Sequence, residues 1–174
     1  IRDVDIVSMV KQVEFEMEDK LADAGLDVRV SMPEEKVIVP LDSQKTFRIF
    51  ENLFGNIAKY ALPGTRVYVS GFTAKDEVTI ILKNITAQEL SVSGEELTER
   101  FVRGDASRNT EGSGLGLAIA KSFTEIQGGN FRIELDGDLF KVVLIWKVKP
   151  ESGNYDNSGG KVTTGDKEKQ PLQS

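Results

Sequence analysis

Hydrophobic residues recur along the chain at two spacings, one typical of amphipathic helices and one typical of strands. Helical spacing predicts three helices, at residues 5–24, 42–61 and 115–127. Short apolar runs bounded by turn residues predict strands, at residues 28–30, 37–39, 66–72, 78–83, 131–135 and 139–148. We therefore expect the order helix, strands, helix, strands, long connection, helix and strands.

The long connection, from Asn84 to Gly112, has no strand pattern and one short helical segment. In that segment Ser93 and Glu96 have the spacing of a capping box. Connections of this length in compact domains are commonly lids or binding loops, and otherwise they are disordered. We expect a lid at about residues 85–112.

The C-terminal residues differ in composition from the rest of the chain. From residue 150 to residue 174 large apolar side chains are few among Gly, Ser, Asn, Lys and Asp. Such a segment cannot bury a core. The sequence therefore predicts one folded domain at residues 1–149 and a disordered tail at residues 150–174.

Charge and composition exclude several kinds of function. The net charge of -6 over 174 residues argues against a nucleic-acid partner, because such binding needs basic surface. The longest aliphatic and aromatic run, residues 142–146, is far shorter than the roughly 20 residues of a membrane helix. We therefore expect this segment to contact neither nucleic acid nor a membrane.

The chain has no cysteine and no histidine. Thiol catalysis, disulfides and a histidine base, metal ligand or phosphoacceptor are therefore excluded within it. The chain begins at Ile1 rather than Met. We interpret it as a fragment of a longer protein.

The helix predicted at residues 42–61 carries polar side chains opposite its apolar face. At about 100° per residue, one side holds Phe47, Phe50, Leu53, Phe54, Ile57 and Ala61. The other side holds Asn52, Asn56, Lys59 and Tyr60. Amide oxygens can complete the shell of a magnesium ion held by nucleotide phosphates, and a lysine adds positive charge. A solvated helix face explains the same row, so the row alone does not decide.

A glycine-rich string precedes the third predicted helix and comprises Gly112, Ser113, Gly114, Leu115, Gly116 and Leu117. Glycines before a helix let phosphate approach its free N–H groups. The spacing fits neither the P-loop nor the dinucleotide fingerprint. A flexible loop entering an amphipathic helix is the alternative interpretation.

Arginines occur in the predicted lid at Arg100, Arg103 and Arg108. Arginine in a lid can stabilise charge on a transferring phosphoryl group. Surface arginines are also common, so each alone is weak evidence.

Together these segments resemble sensor histidine kinases in order and spacing. The matching segments are residues 51–60 (ENLFGNIAKY), 97–108 (LTERFVRGDASR) and 112–117 (GSGLGL). The chain resembles the catalytic, ATP-binding domain of such a kinase, in the superfamily shared with DNA gyrase and the MutL repair protein. The resemblance spans about residues 3–148.

The resemblance implies an α/β (α+β) fold, a two-layer sandwich with helices on one face of a mixed, mostly antiparallel sheet. It places ATP between the helices and the lid. It also implies that Asn56 coordinates Mg²⁺ with Asn52 beside it. Lys59 would contact phosphate and Tyr60 would lie along the adenine.

The resemblance gives the lid and the glycine string their roles as well. Arg103 and Arg108 would lie near the phosphates, and the string from Gly112 to Leu117 would cradle them. Phe101 would mark the lid segment that meets the phosphoacceptor domain.

One position departs from the family pattern. The family usually has an Asp followed by spaced glycines after the strand that ends here near Lys83, and that Asp accepts from the adenine amino group. This chain has Asn84, Ile85 and Thr86 there. A carboxamide offers both an acceptor and a donor, so we expect Asn84 to read adenine. We expect the missing glycines to alter the lid hinge.

The reaction expected from the resemblance is phosphoryl transfer rather than hydrolysis. ATP-hydrolysing relatives carry a carboxylate four residues before the metal-binding Asn, where this chain has Asn52. An amide is not a base near neutral pH, and Glu51 points about 100° away around the helix. The expected catalytic set is Asn52, Asn56, Lys59, Arg103 and Arg108.

The resemblance also implies partners. The phosphoryl group would pass to a histidine on an upstream phosphoacceptor domain of the same parent kinase, which also forms the homodimer, and then to a downstream response regulator. We expect the fragment itself to be mainly monomeric. We expect a cytoplasmic domain whose parent is anchored in a bacterial inner membrane.

Two alternatives stay open. One is a nucleotide-binding module that has lost catalysis and acts as a regulator or scaffold, which the departure at Asn84 favours. The other is a protein kinase of the anti-sigma-factor type, which phosphorylates a serine of a partner.

Overall fold

The computed structural model describes residues 1–87 and 115–150 of the chain. The predicted tail from residue 151 and the lid from residue 88 lie outside the described residues. The described helices are α1 (Ile6–Glu16), α2 (Glu18–Asp23), α3 (Ser43–Tyr60) and α4 (Leu115–Glu125). The strands are β1 (Arg2–Asp5), β2 (Asp27–Ser31), β3 (Ile38–Leu41), β4 (Arg66–Ala74), β5 (Glu77–Ile85), β6 (Asn130–Asp136) and β7 (Leu139–Lys147).

Five strands form one mixed sheet in the order β2, β4, β5, β7 and β6. Strand β2 runs parallel to β4, and the other neighbouring pairs are antiparallel. Strands β1 and β3 form a separate antiparallel pair. The main sheet is thus mixed and mostly antiparallel, as predicted.

The helices pack on one face of the main sheet. In β5 the buried positions alternate with half-buried ones, so Val78, Ile80, Leu82 and Asn84 point to the same side. The three apolar residues join the apolar side chains of α1, α3 and α4 in one core. On the opposite face Tyr68 and Phe72 are exposed. The predicted two-layer sandwich is confirmed.

Helix α3 forms where the sequence predicts it. The Asp42 side chain caps its N-terminus by accepting a hydrogen bond from the Lys45 N–H at 3.0 Å. The buried residues of α3 are Thr46, Ile49, Phe50, Leu53, Phe54 and Ile57. Tertiary burial of this face, more than helix propensity, holds such a helix in place.

The N-terminal helix prediction is only partly right, because residues 5–24 form two helices rather than one. Helix α1 ends at Glu16 and α2 begins at Glu18, with Met17 between them at φ -95° and ψ 5°. Leu21 in α2 is still buried at the same core. The apolar spacing continues through Met17, so hydrophobic periodicity could not show the break.

The two predicted N-terminal strands exist but do not pair with each other. Strand β2 pairs with β4, and β3 pairs with β1. Strand β1 was not predicted, because its four residues include a single apolar one, Val4. Asp5 at its end accepts a hydrogen bond from the Val37 N–H at 3.1 Å and caps α1.

The later elements agree with the prediction. Strands β4 and β5 extend slightly beyond the predicted bounds, and α4 ends two residues earlier than predicted. Strands β6 and β7 pair as the predicted hairpin. Gly137 between them has φ +61°, which a glycine adopts without steric cost.

Candidate nucleotide site

The polar row of α3 lies at the edge of the core and not on a fully solvated face. Asn52 and Asn56 are half-buried, while Lys59 and Tyr60 are exposed. The interpretation of this row as an ordinary solvated helix face therefore does not describe its two amides. A neighbouring element packs against Asn52.

For Asn52 that neighbour is the beginning of α4. A Cβ atom built on Gly116 would lie 3.3 Å from the Asn52 Oδ1 and 3.5 Å from its Cβ. The first distance is shorter than an ordinary van der Waals contact, and the second is an ordinary one. The missing side chain of Gly116 therefore lets α4 pack closely against Asn52, and an alanine there would require a small shift of the Asn52 side chain.

The amide nitrogen of Asn52 is left unsatisfied by this packing. Its Nδ2 is buried and has no hydrogen-bond partner within residues 1–87 and 115–150. A buried donor without a partner costs about 1–3 kcal/mol. Such a group at the junction of two helices indicates a place where a ligand or a water can bind.

The end of α3 is fixed to the end of β5 by main-chain hydrogen bonds. The Ala87 N–H donates to the Tyr60 carbonyl at 2.9 Å, and the Leu62 N–H donates to the Ile85 carbonyl at 2.8 Å. Tyr60 is 37% exposed, and partial burial raises the pKa of its phenol. The Tyr60 side chain therefore stands neutral and partly open beside the end of β5.

Asn84 lies on the helix-facing side of β5, near this junction. It is 3% exposed and follows Leu82 in the alternation of the strand. Two residues later, Thr86 forms an isolated bridge with Ala61 directly after α3. The structure thus brings Asn84 to the same end of α3 as Tyr60, while Asn52 faces α4.

Several predicted site residues lie outside the described residues. These are Arg103, Arg108, Gly112, Ser113 and Gly114, together with Arg100 and Phe101. Leu115 begins α4, but its side chain is not described. The Leu117 side chain is 1% exposed and belongs to the core, so only its main chain is available to a ligand.

Among the described side chains of the site, amide oxygens are the candidate ligands for a metal ion. Within the described ranges, no three Asp, Glu, His or Cys side chains cluster in a way that could hold a metal ion. A magnesium ion here would take its oxygen ligands from Asn56 and Asn52, from nucleotide phosphates and from water. The unpaired Asn52 Nδ2 and the absence of a side chain at Gly116 fit a small polar ligand between α3 and the start of α4.

The opposite end of α4 is fixed to the start of α3 by Gln127. Its Oε1 accepts from the Asp42 N–H at 2.7 Å, and its Nε2 donates to the Phe123 carbonyl at 3.0 Å. The same Nε2 lies 3.4 Å from the Thr46 Oγ1. The sequence does not predict this contact, because a polar residue after a helix gives no signal of a partner 85 positions away.

The amino-acid sequence matches a known protein family over the elements that form this site. Residues 41–164 match the family described as "Histidine kinase-, DNA gyrase B-, and HSP90-like ATPase". The chain belongs to this ATPase family. The match includes α3, the end of β5 and α4, so it spans the elements that carry the candidate site.

Sensor kinases are among the relatives of this ATPase-family chain. It is 34% identical over 147 residues to "Probable sensor protein PcoS" of Escherichia coli, covering 82% of this chain and 31% of that protein. It is 31% identical over 134 residues to "Sensor protein VanSC" of Enterococcus gallinarum, covering 75% of this chain and 36% of that protein. The chain therefore spans about a third of the length of these relatives.

Solved structures agree on the fold of the ATPase-family domain. The mycobacterial sensor histidine kinase MprB matches with a TM-score of 0.70 and 22% identity, over 86% of this chain and 98% of that one. The nucleotide-free catalytic domain of the histidine kinase ThkA matches with a TM-score of 0.72 and 18% identity, over 83% of this chain and 93% of that one. The resemblance to the ATP-binding catalytic domain of sensor histidine kinases is confirmed. No helix among the described residues is long and apolar enough to cross a membrane.

Proposed function

We propose that this ATPase-family domain binds ATP with Mg²⁺ and transfers its γ-phosphoryl group to a histidine on a separate domain of its parent protein. The observation that carries the proposal is the junction of α3 and α4. There the buried Asn52 amide lies against Gly116 at the start of α4, next along α3 to Asn56. The free N–H groups at the start of a helix favour an anion such as phosphate.

We propose that the nucleotide lies along the C-terminal half of α3. Asn56 and Asn52 would hold Mg²⁺, with Lys59 one turn further along the same helix to contact the phosphates. Bound Mg²⁺ supplies positive charge that offsets the negative charge of the phosphoryl oxygens. At the last residue of the helix, Tyr60 would receive the adenine together with Asn84. Arg103, Arg108 and the string from Gly112 to Leu117 remain proposed phosphate contacts.

The residues of the site favour phosphoryl transfer to an imidazole over hydrolysis of ATP. In the step, a histidine nitrogen forms a bond to the γ-phosphorus while the bond to the bridging oxygen breaks and ADP leaves. Catalysis by positioning and charge is sufficient for such a transfer. Asn52 cannot activate water as a base, and Glu51 is exposed and pairs with Arg48 at 3.9 Å. We therefore propose slow hydrolysis.

The acceptor histidine has to come from elsewhere, because this sequence contains none. We propose that it lies on a phosphoacceptor domain of the same parent protein, which forms the homodimer, and that a response regulator receives the phosphoryl group next. We also propose that the domain acts on the cytoplasmic side of a membrane-anchored parent. Sedimentation of the isolated chain is expected to show mainly monomer.

Calorimetric titration of ATP tests the site directly. We expect Mg²⁺-dependent ATP binding that Asn56→Ala reduces by at least about tenfold, since a lost ligand to a charged group costs about 1.5–3 kcal/mol. Asn130→Ala, which removes an exposed amide at the start of β6, is the matched control and should leave affinity unchanged. Equal affinity in wild type and Asn56→Ala would contradict the assigned site.

Phosphotransfer is tested by adding the parent's phosphoacceptor domain to the chain with Mg²⁺ and γ-labelled ATP. Acid-labile, base-stable label on the added domain is the expected result. Tight ATP binding without such label would instead favour a regulatory module that has lost catalysis. Label on a serine of a partner protein would favour the anti-sigma-factor type of kinase.

A further inference from the structure

Asn84, the residue proposed to contact the nucleotide base, is a neutral amide, and no charged side chain is buried among the described residues. Among the described residues the buried polar side chains are Thr46, Asn84, Thr86 and Thr124, and none of them ionises. Asn84 is 3% exposed, on the helix-facing side of β5. In the described part of the interior no carboxylate is available to take its place.

An amide and a carboxylate read a purine edge differently. A carboxylate only accepts hydrogen bonds, so it matches a 6-amino group and repels a 6-oxo group. An amide has an acceptor and a donor, and rotation by 180° about its last torsion exchanges them. It can accept from the adenine 6-amino group while donating to N1, or donate to a 6-oxo group while accepting from the N1–H.

We propose that Asn84 makes this nucleotide pocket accept 6-oxo purine triphosphates as well as ATP. The inference rests on the proposed function, which places the base against Asn84. It concerns the class of nucleotide that the domain can use, because a donor and an acceptor side by side satisfy either purine edge. A buried polar group that finds a partner with both bases discriminates weakly between them.

The surroundings of Asn84 do not restore the discrimination. The base would also meet Tyr60, whose ring stands 37% exposed at the same end of α3. Stacking on an aromatic ring tolerates every base, because every base has a π face. The main-chain groups nearest this end are already engaged, the Tyr60 carbonyl by the Ala87 N–H and the Ile85 carbonyl by the Leu62 N–H. The polar side chains nearest this position among the described residues are Asn84 and Thr86, and a threonine hydroxyl, like an amide, can both donate and accept.

The test compares three triphosphates on the unmodified chain. The probes are ATP, inosine triphosphate and purine riboside triphosphate, each titrated with Mg²⁺ by calorimetry. Inosine triphosphate is chosen over GTP because it lacks the 2-amino group through which a carboxylate could also bind guanine. We expect ATP and inosine triphosphate to bind within about fivefold of each other, and purine riboside triphosphate, which has no group at the 6-position, to bind about tenfold more weakly.

The variant Asn84→Asp sharpens the comparison. It keeps the size of the side chain and replaces the donor with a second acceptor, so the preference for ATP over inosine triphosphate should widen by at least about tenfold. Asn130→Asp, an exposed change of the same chemistry, should leave the ratio unchanged. Thermal unfolding checks that Asn84→Asp is folded; if it is not, the three-nucleotide comparison on the unmodified chain decides.

The outcomes separate this inference from the proposed function. ATP binding with inosine triphosphate weaker by about a hundredfold or more overturns the inference alone and leaves the site. An unchanged ratio in a folded Asn84→Asp variant also overturns it. No binding of any triphosphate removes the proposed function, and the inference with it.

Discussion

The two ends of α4 differ in how their buried polar groups are satisfied. At its C-terminal end the Gln127 amide accepts from the Asp42 N–H and donates to the Phe123 carbonyl, and the Thr124 hydroxyl donates to the Ala120 carbonyl. At its N-terminal end the Asn52 Nδ2 is buried with no partner in the described part of the chain. Side chains hydrogen-bond α4 to α3 at the Gln127 junction and not at the Asn52 junction. Beside Gly129, the indole N–H of Trp146 on β7 is also buried without a partner among the described residues.

The Gln127 contact is therefore interpreted as structural, and the Asn52 contact as a candidate ligand contact. Most buried polar atoms in proteins are paired, and an unpaired one costs about 1–3 kcal/mol. We infer that the hydrogen bonds of Gln127 stabilise the fold, and that a bound ligand completes the Asn52 donor at the N-terminal junction. Variants of the first junction should then change stability, and variants of the second should change affinity.

The largest effect is expected from Gly129→Ala, near the Gln127 junction. A Cβ there would overlap the Trp146 indole nitrogen and lie 2.8 Å from the Thr124 Cγ2, and both of these side chains are buried. Overpacking of this kind should lower the free energy of unfolding by about 3 kcal/mol. Urea unfolding measures it, and ATP affinity of the folded protein should not change.

The neighbouring glycine provides the control for this prediction. A Cβ on Gly128 meets nothing within 4 Å, but its φ of +81° disfavours a side chain. Gly128→Ala should therefore cost about 1 kcal/mol. Equal losses for the two variants would show that the packing against Trp146 is not tight.

Gln127→Ala is the next largest change. It removes the acceptor of the Asp42 N–H and the donor to the Phe123 carbonyl. We expect unfolding to become easier by about 2 kcal/mol, because partly buried groups lose their partners. Gln12→Ala, at an exposed glutamine bonded to Glu16 in α1, should change stability by about 0.5 kcal/mol or less. A large fall in ATP affinity for Gln127→Ala would contradict the division between the two junctions.

Asn52→Leu should act in opposite directions on stability and on binding. Leucine has nearly the shape of asparagine and removes the buried unpaired Nδ2, so the free energy of unfolding should rise by about 1 kcal/mol. ATP affinity should fall by at least about tenfold if that amide serves the nucleotide. Thermal unfolding and calorimetry on one preparation measure both. A variant that is destabilised and still binds ATP normally would contradict the assignment of this junction.

The sequence predicted the elements of this site better than their contacts. The spacing of Phe50, Leu53, Phe54 and Ile57 defined the buried side of α3, and that prediction is confirmed. Periodicity places residues on a face of their own helix but does not say which element covers the opposite face. The approach of α4 to Asn52 and the contact of Gln127 with Asp42 join positions far apart in the sequence, so only the structure shows them.

The N-terminal region shows a second limit. Strand β1 has one apolar residue among four, and the break at Met17 interrupts an unbroken apolar spacing. Both features depend on pairing with β3 and on packing against other helices, which local sequence does not encode. The fold class, by contrast, followed from motifs at residues 51–60, 97–108 and 112–117, because together they carry the family resemblance.

The smallest effect concerns Asp5, whose polar contacts are complete like those of the Gln127 junction. Burial opposes its charge, but hydrogen bonds from the Ser8 hydroxyl and from the Val37, Ser8 and Val7 N–H groups outweigh it, so the pKa of Asp5 lies below its ordinary value of 3.8. A lowered pKa stabilises the folded protein at pH values above the ordinary pKa, and this stabilisation is lost as pH falls through the lowered pKa.

Asp5→Asn should therefore be less stable than wild type at pH 7, with the difference in free energy of unfolding shrinking below about pH 4. Ser8→Ala removes one of these donors and should give a smaller difference with the same sign. Urea unfolding at pH 7 and pH 3 measures both, and a difference that grows on acidification would show that Asp5 is not held in its charged form.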